Sequence, residues 1–215
     1  MQEAARRTRK AAAGTGRATI TSSRRATKAE AGRTRGAMSK SGPRLPRLIA
    51  FDLDDTLWFP EMYLLIGGAP FRKDKQGRLI SSGGEEVELY PAARACLKEL
   101  ATSPKYKDIK VVFASRCHET DWAYTCMDLL DVCDGVSVSQ CLNEGGVFQG
   151  GSKQGHFAEL KRRTGIEYEE MVFFDNERWN ITEVKKLGVT CVHTPNGMQA
   201  GQFEKGLALY AEKWA

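Results

Sequence analysis

Leu48-Ile49-Ala50-Phe51-Asp52-Leu53-Asp54-Asp55-Thr56-Leu57-Trp58 is the stretch on which the reading of the fold turns. Four apolar residues follow a basic, Pro-containing lead and run into three carboxylates within four positions, then a hydroxyl and a return to apolar residues. A short apolar run bounded in this way reads as a buried strand. Asp52, Asp54 and Asp55 fall at its carboxyl end, the edge at which open α/β sheets hold their ligands. Carboxylates crowded so closely repel one another unless a cation joins them, and a divalent metal does this most simply. Taken alone, D-x-D-x-T is equally ordinary turn chemistry. A calcium loop of the EF-hand type fails on spacing, because it needs Gly at its sixth position and an acid at its twelfth. Those positions hold Leu57 and Tyr63.

Outward from this stretch, strand and helix patterns alternate. Residues 58–90 lack a sustained period and carry Gly67-Gly68, Pro70, Gly77 and Gly83-Gly84; within them 62–66 and 78–81 are expected to pair as a small hairpin or flap over the site. Pro91 opens a helix to about 101, in the first-turn place that Pro favours. The run 109–114 reads as a second buried strand ending at Ser115-Arg116, followed by a helix over about 119–130, a short strand at 136–139 and a Gly-rich loop over 143–151. Lys153 sits where that loop enters a helix of about 155–164. A third apolar strand, 171–174, ends at Asp175-Asn176-Glu177; a helix of 178–187 then leads through Gly188 to a last strand, 189–193, and a terminal helix of 198–213. This alternation indicates an α/β fold with a doubly wound parallel sheet over 45–215, carrying a small insertion at about 58–90 and no large cap domain.

The chain of 215 residues has room for one such domain and extras. Its charge is uneven. Residues 1–47 hold 13 Lys and Arg against 2 acids, and residues 48–215 hold 19 against 25, so the net +5 is +11 on the tail and −6 on the body. Residues 1–44 are rich in Arg, Ala, Thr, Ser and Gly and contain no aromatic residue, a composition that cannot bury enough surface to fold. It resembles an organelle transit peptide, chloroplast or mitochondrial, and three other readings compete: a nucleic-acid-binding arm, a nuclear import patch, or translated upstream sequence with Met38 as the start. Without a targeting role the protein is expected in the cytoplasm. Six cysteines without metal spacing point to reduced thiols in an intracellular compartment. No apolar run approaches the length of a membrane span, so no membrane partner is expected.

Polar residues follow each of three apolar strands: Asp52/Asp54/Thr56, Ser115/Arg116 and Asp175/Asn176. In a parallel sheet these ends share one edge. Carboxylates, a hydroxyl, the lysine Lys153 and further metal-type oxygens converging there suit phosphoryl transfer. The order Asp-x-Asp-x-Thr, Ser, Lys, Asp-Asn is similar to the four motifs of the haloacid dehalogenase superfamily of phosphatases. More narrowly, F-D-L-D-D-T-L-W, A-S-R, G-S-K-x-x-H-F and M-V-F-F-D-N-E-R-x-N resemble the eukaryotic magnesium-dependent phosphatase-1 family over about 44–208.

The resemblance implies a Rossmann-like core and a Mg2+-dependent phosphomonoesterase in which Asp52 attacks phosphorus and Asp54 serves as acid and base. It implies phosphate or substrate binding by Leu53, Thr56, Ser115, Arg116 and Lys153. The metal would be held by the Asp52 carboxylate, the Asp54 carbonyl and Asn176, with Asp175 behind them as an acceptor for Lys153 or a metal water. Close members are expected to have Asp-Asp where this chain has Asp175-Asn176. An amide oxygen still ligates Mg2+ but brings no charge, so weaker metal affinity follows; polymerase-tail phosphatases share the Asp-Asn pair. The resemblance points to protein phosphotyrosine or to sugar phosphates on amines (fructosamine-phosphate type) as substrates, handled by a monomer. Two other readings stand beside it: a silent binding protein, supported by Asn176, and a nucleic-acid-end or polymerase-tail phosphatase using the basic arm, although a nucleic-acid partner is disfavoured. His156, His193, Trp122, Trp179 and Trp214 read as structural; His118 and Trp58 are placed to approach the site. Cys117 beside Arg116 lacks Cys-x5-Arg spacing.

Overall fold

Why each apolar run forms a strand is visible in how its residues divide. The computed structural model describes residues 44–148 and 150–215; the tail expected over 1–44, with its transit-peptide reading and Met38, lies outside them but for Arg44. The strands are β1 (Leu48–Phe51), β2 (Trp58–Phe59), β3 (Arg72–Lys73), β4 (Leu79–Ile80), β5 (Glu86–Leu89), β6 (Lys110–Ser115), β7 (Asp131–Cys133), β8 (Val136–Ser137), β9 (Gly146–Phe148), β10 (Met171–Asp175) and β11 (Thr190–His193). The helices are α1 (Pro91–Thr102), α2 (Thr120–Leu129), α3 (Val138–Cys141), α4 (Lys153–Thr164), α5 (Arg178–Lys185) and α6 (Gln202–Glu212).

Five strands form a parallel sheet in the order β11-β10-β1-β6-β9. β1 lies in the middle, with Leu48 opposite Met171 on one side and Lys110 on the other. Alternate residues leave the sheet on opposite faces. Ile49, Phe51, Val111, Phe113, Val172 and Phe174 pack with Leu97 of α1, Met127 of α2 and Phe203 of α6. Leu48, Ala50, Val112, Ala114, Met171 and Phe173 pack with Phe157 and Leu160 of α4 and Val184 of α5. Both faces are covered, which is why these strands read as continuous apolar runs rather than alternating ones. The sheet is doubly wound, as expected.

Three local expectations are corrected. Met62–Leu64 is a 3-10 turn rather than a strand, because Met62 and Leu65 are buried while Tyr63 and Leu64 between them are exposed, a spacing of three and not two. The insertion is instead a four-stranded antiparallel sheet, β2-β5-β4-β3, and Leu65, Phe71, Leu79, Val87 and Leu89 join it to the main core. Val136–Ser137 pairs antiparallel with β7 and turns directly into α3. The parallel sheet takes its edge strand, β9, from the stretch expected to be a Gly-rich loop. Gly146 permits this: a Cβ there would overlap the Phe113 carbonyl and ring.

Candidate active site

Parallel strands bring distant side chains to one edge. Asp52 follows β1, Ser115 ends β6 and Asp175 ends β10. Lys153, the first residue of α4, is 1% exposed and reaches across all three strands. Its Nζ donates to Asp52 Oδ1 at 2.6 Å and to the Ala114 carbonyl, and lies 3.3 Å from Asp175 Oδ2. A buried ammonium is tolerated only with such partners.

The turn after β1 is tight. The N–H groups of Thr56, Leu57 and Trp58 all converge on the Leu53 carbonyl, at 3.1, 2.8 and 3.4 Å, while Asp55, at φ 51, donates its N–H to the Trp58 carbonyl at 2.9 Å. This reversal brings the Trp58 indole Nε1 to within 2.7 Å of Asp54 Oδ1. Burial pushes the Asp54 carboxyl up to about 6; the Trp58 N–H opposes the rise and the Asp52 charge adds to it. Asp175 is also pushed upward, by burial first and then by Asp52, with Lys153 pulling the other way. Both its oxygens accept from Asn180 Nδ2, at 3.1 and 2.9 Å, and Oδ1 accepts the Glu177 N–H at 2.7 Å.

Asn176 is held from two sides: its N–H donates to Thr56 Oγ1 at 3.0 Å, and its carbonyl oxygen lies 2.8 Å from His193 Nε2. A cavity of about 560 Å3 opens over the edge, and Asp52, Asp54, Ser115, Arg116, Lys153 and Asn176 all line it. The other site residues expected from sequence do not. The Leu53 side chain is in the core, Asp175 lies behind Lys153, and Thr56 is fully buried as the tie to Asn176.

Sequence reasoning missed the rim. Glu177 pairs with Arg116, Glu183 accepts from Ser152 Oγ at 2.6 Å, and Glu61, Tyr63 and Trp179 complete the mouth. Trp179 is 65% exposed rather than packed, whereas Trp122 meets Phe71 edge-on and Trp214 lies under Arg44. His156 is buried in α4, while His118 is exposed and lines the cavity. The signal for Asn180 was present in the motif D-N-E-R-x-N; that for Glu61 and Tyr63 was not, since they arrive through the insertion. Cys117 also lines the cavity, but burial and then Asp54 push its thiol up to about 12, so it stays neutral.

Mg2+ fits this donor set. The Asp52 carboxylate, the Asp54 carbonyl and the Asn176 amide are hard oxygens of the type it takes. Among the described residues no three His, Cys, Asp or Glu side chains form a metal cluster. Asp52 and Asp175 share one buried ammonium, and the Asp52 charge also bears on Asp54, a crowding of carboxylates that a divalent cation would offset.

Comparison with known proteins agrees with this geometry. A family model described as Acid Phosphatase matches residues 44–213. Human magnesium-dependent phosphatase 1 is 37% identical over 169 residues, covering 79% of this chain and 89% of that protein. A haloacid dehalogenase-like hydrolase superfamily protein of Schizosaccharomyces pombe is 35% identical over 149 residues, covering 67% and 83%. Among solved structures, a haloacid dehalogenase-like hydrolase from Xanthomonas campestris shares the fold with a TM-score of 0.51 at 14% identity, covering 78% of this chain and 97% of its own. A phosphatase-domain structure from Bacteroides fragilis complexed with Mg gives the same TM-score at 16% identity, covering 78% of this chain and 40% of that one. The chain therefore belongs to the acid phosphatase family of the haloacid dehalogenase superfamily, with magnesium-dependent phosphatase 1 among its relatives.

Proposed function

We propose that the chain is a Mg2+-dependent phosphomonoesterase that works through an aspartyl-phosphate on Asp52. The observation that carries this reading is the Lys153 ammonium, 2.6 Å from Asp52 Oδ1 at the floor of a cavity that Asp54, Ser115 and Asn176 also line. The Asp52 carboxylate attacks phosphorus, the bond from phosphorus to the ester oxygen breaks, and the Asp54 carboxyl gives its proton to that departing oxygen. Water then attacks the aspartyl-phosphate and passes a proton to the Asp54 carboxylate. The bond from phosphorus to Asp52 breaks, releasing inorganic phosphate. A carboxyl that titrates at about 6 can serve in both steps near neutrality. Ser115 Oγ accepts the Cys117 N–H at 3.1 Å, which leaves its hydroxyl hydrogen for a phosphate oxygen. Lys153 offsets the charge of the phosphate, and Arg116, held by Glu177, stands at its edge. Asp52, the Asp54 carbonyl and Asn176 would hold Mg2+, which when bound draws charge from the phosphate and the incoming carboxylate.

The open mouth, with Tyr63 and Trp179 exposed on it, supports large phosphate esters such as protein phosphotyrosine or sugar phosphates carried on amines. Glu61, Glu177 and Glu183 on the rim disfavour a nucleic-acid end by like-charge repulsion. The test is hydrolysis of an aryl phosphate with and without Mg2+, beside Asp52→Asn. Mg2+-dependent turnover that the substitution abolishes is the expected result. A folded protein with no turnover at saturating Mg2+ would refute the proposal.

A further inference from the structure

A carboxyl group turns easily about its last side-chain bond, whose energy wells are broad, whereas proton transfer needs the acid within hydrogen-bond reach of the departing oxygen. Something must therefore hold Asp54. The Trp58 indole does so at 2.7 Å from Oδ1, and it is itself completely buried. Indole nitrogen is a donor only, so Oδ1 accepts and the proton to be transferred belongs on Oδ2. The donor cannot drift. Trp58 begins β2 and pairs with Leu89 of β5, its N–H and carbonyl are fixed by Leu53 and Asp55, and Leu57, which leads into β2, is pinned by the Tyr90 N–H on its carbonyl at 3.0 Å. The Met62 backbone N–H of the same insertion also favours the ionised form of Asp54. Trp58 is absent from the cavity lining, and its indole N–H reaches the site through Asp54.

We propose that Trp58 is a positioning residue for proton transfer to the leaving group, its indole N–H fixing the rotation of the Asp54 carboxyl so that Oδ2 meets the departing oxygen. This rests on the reading of Asp54 as the acid–base group. The first strand-pair of the insertion thus orients the acid without itself lining the cavity.

The consequence is selective. An ester of a nitrophenol leaves without much help from an acid, while an alkyl ester must be protonated as it departs. The measurement is kcat/KM for nitrophenyl phosphate and for an alkyl phosphate with Mg2+, in the full chain carrying 3-benzothienylalanine at position 58, which keeps the bicyclic shape and lacks the N–H. Trp58→Phe is the genetically encoded companion. The alkyl ester should lose about tenfold more than the nitrophenyl ester in both proteins, a fraction of what a general acid supplies. Equal losses on both esters, or none, in the benzothienyl protein would overturn the proposal, because a packing role does not distinguish leaving groups. Asp54→Asn separates the two layers. If it leaves alkyl phosphate hydrolysis intact, the acid–base reading of Asp54 fails. If it abolishes that hydrolysis while the benzothienyl protein keeps the wild-type ratio of the two esters, only the role of Trp58 fails.

Discussion

Because burial and Asp52 raise the Asp54 carboxyl from 3.8 to about 6, the folded chain binds a proton there more tightly than the unfolded chain does. The stabilising proton is fully present below about pH 4 and is lost as pH rises through about 6. In Mg2+-free protein near pH 8 the ionised group therefore costs stability, by roughly 2–3 kcal/mol. Asp54→Asn keeps an oxygen for the Trp58 N–H and removes the charge. Urea unfolding without Mg2+ should show the variant about 2 kcal/mol more stable near pH 8 and the difference vanishing below about pH 4. A gain that persists at low pH would contradict this. At Asn176, a carboxylate in place of the amide adds charge to the oxygen set. Asn176→Asp should lower the Mg2+ concentration for half-maximal turnover by about tenfold; an unchanged Mg2+ dependence would remove Asn176 from the ligands. The placement of Asp54 and Asn176 at the sheet edge was legible from sequence because each closely follows an apolar run. Thr56 was misplaced for the same reason: the motif put it at the strand end, but only coordinates reveal that its hydroxyl turns inward to the Asn176 N–H.

Elements differ in how far their sequences announce them. β1, β6 and β10 are buried on both faces and were readable from unbroken apolar runs. β9 has three residues and begins with glycine, so it carries no periodic signal, and only its pairing with β6 makes it a strand. Gly146→Ala should pry that pair apart, costing about 1–3 kcal/mol, because the methyl group would meet the Phe113 backbone rather than a yielding side-chain tip. Chemical denaturation measures the loss, and an unchanged midpoint would mean the edge strand gives way freely. The insertion was foreseen as an excursion but with the wrong strand pairing, since two-residue strands leave no alternation to read.

At the scale of the molecule, the cavity-lining residues among the described residues and the whole family match lie at or beyond residue 44. A fragment of 44–215 should turn over an aryl phosphate at a rate within about twofold of the full chain, since no residue placed at the site is removed. A larger drop would assign the basic tail a part in catalysis. The tail and body carry opposite net charges, +11 and −6 over 1–47 and 48–215, and added salt screens exposed charges over about 10 Å at 0.1 M. Any rate difference between the two proteins that traces to the tail's charge should therefore shrink as salt rises. Composition exposes that charge division at once, whereas the acidic rim depends on which loops the fold gathers.

Trp58 and Asp54 are four residues apart, but Lys153 is 101 residues from Asp52. The turn that sets the acid closes a short loop, while the ammonium that balances the attacking carboxylate closes one of a hundred residues, and loop-closure entropy rises with length. As the chain emerges from the ribosome, the reactive carboxylates are gathered long before their counter-charge has been made. The sequence separation alone makes the turn at Asp54 cheaper to close than the contact between Asp52 and Lys153.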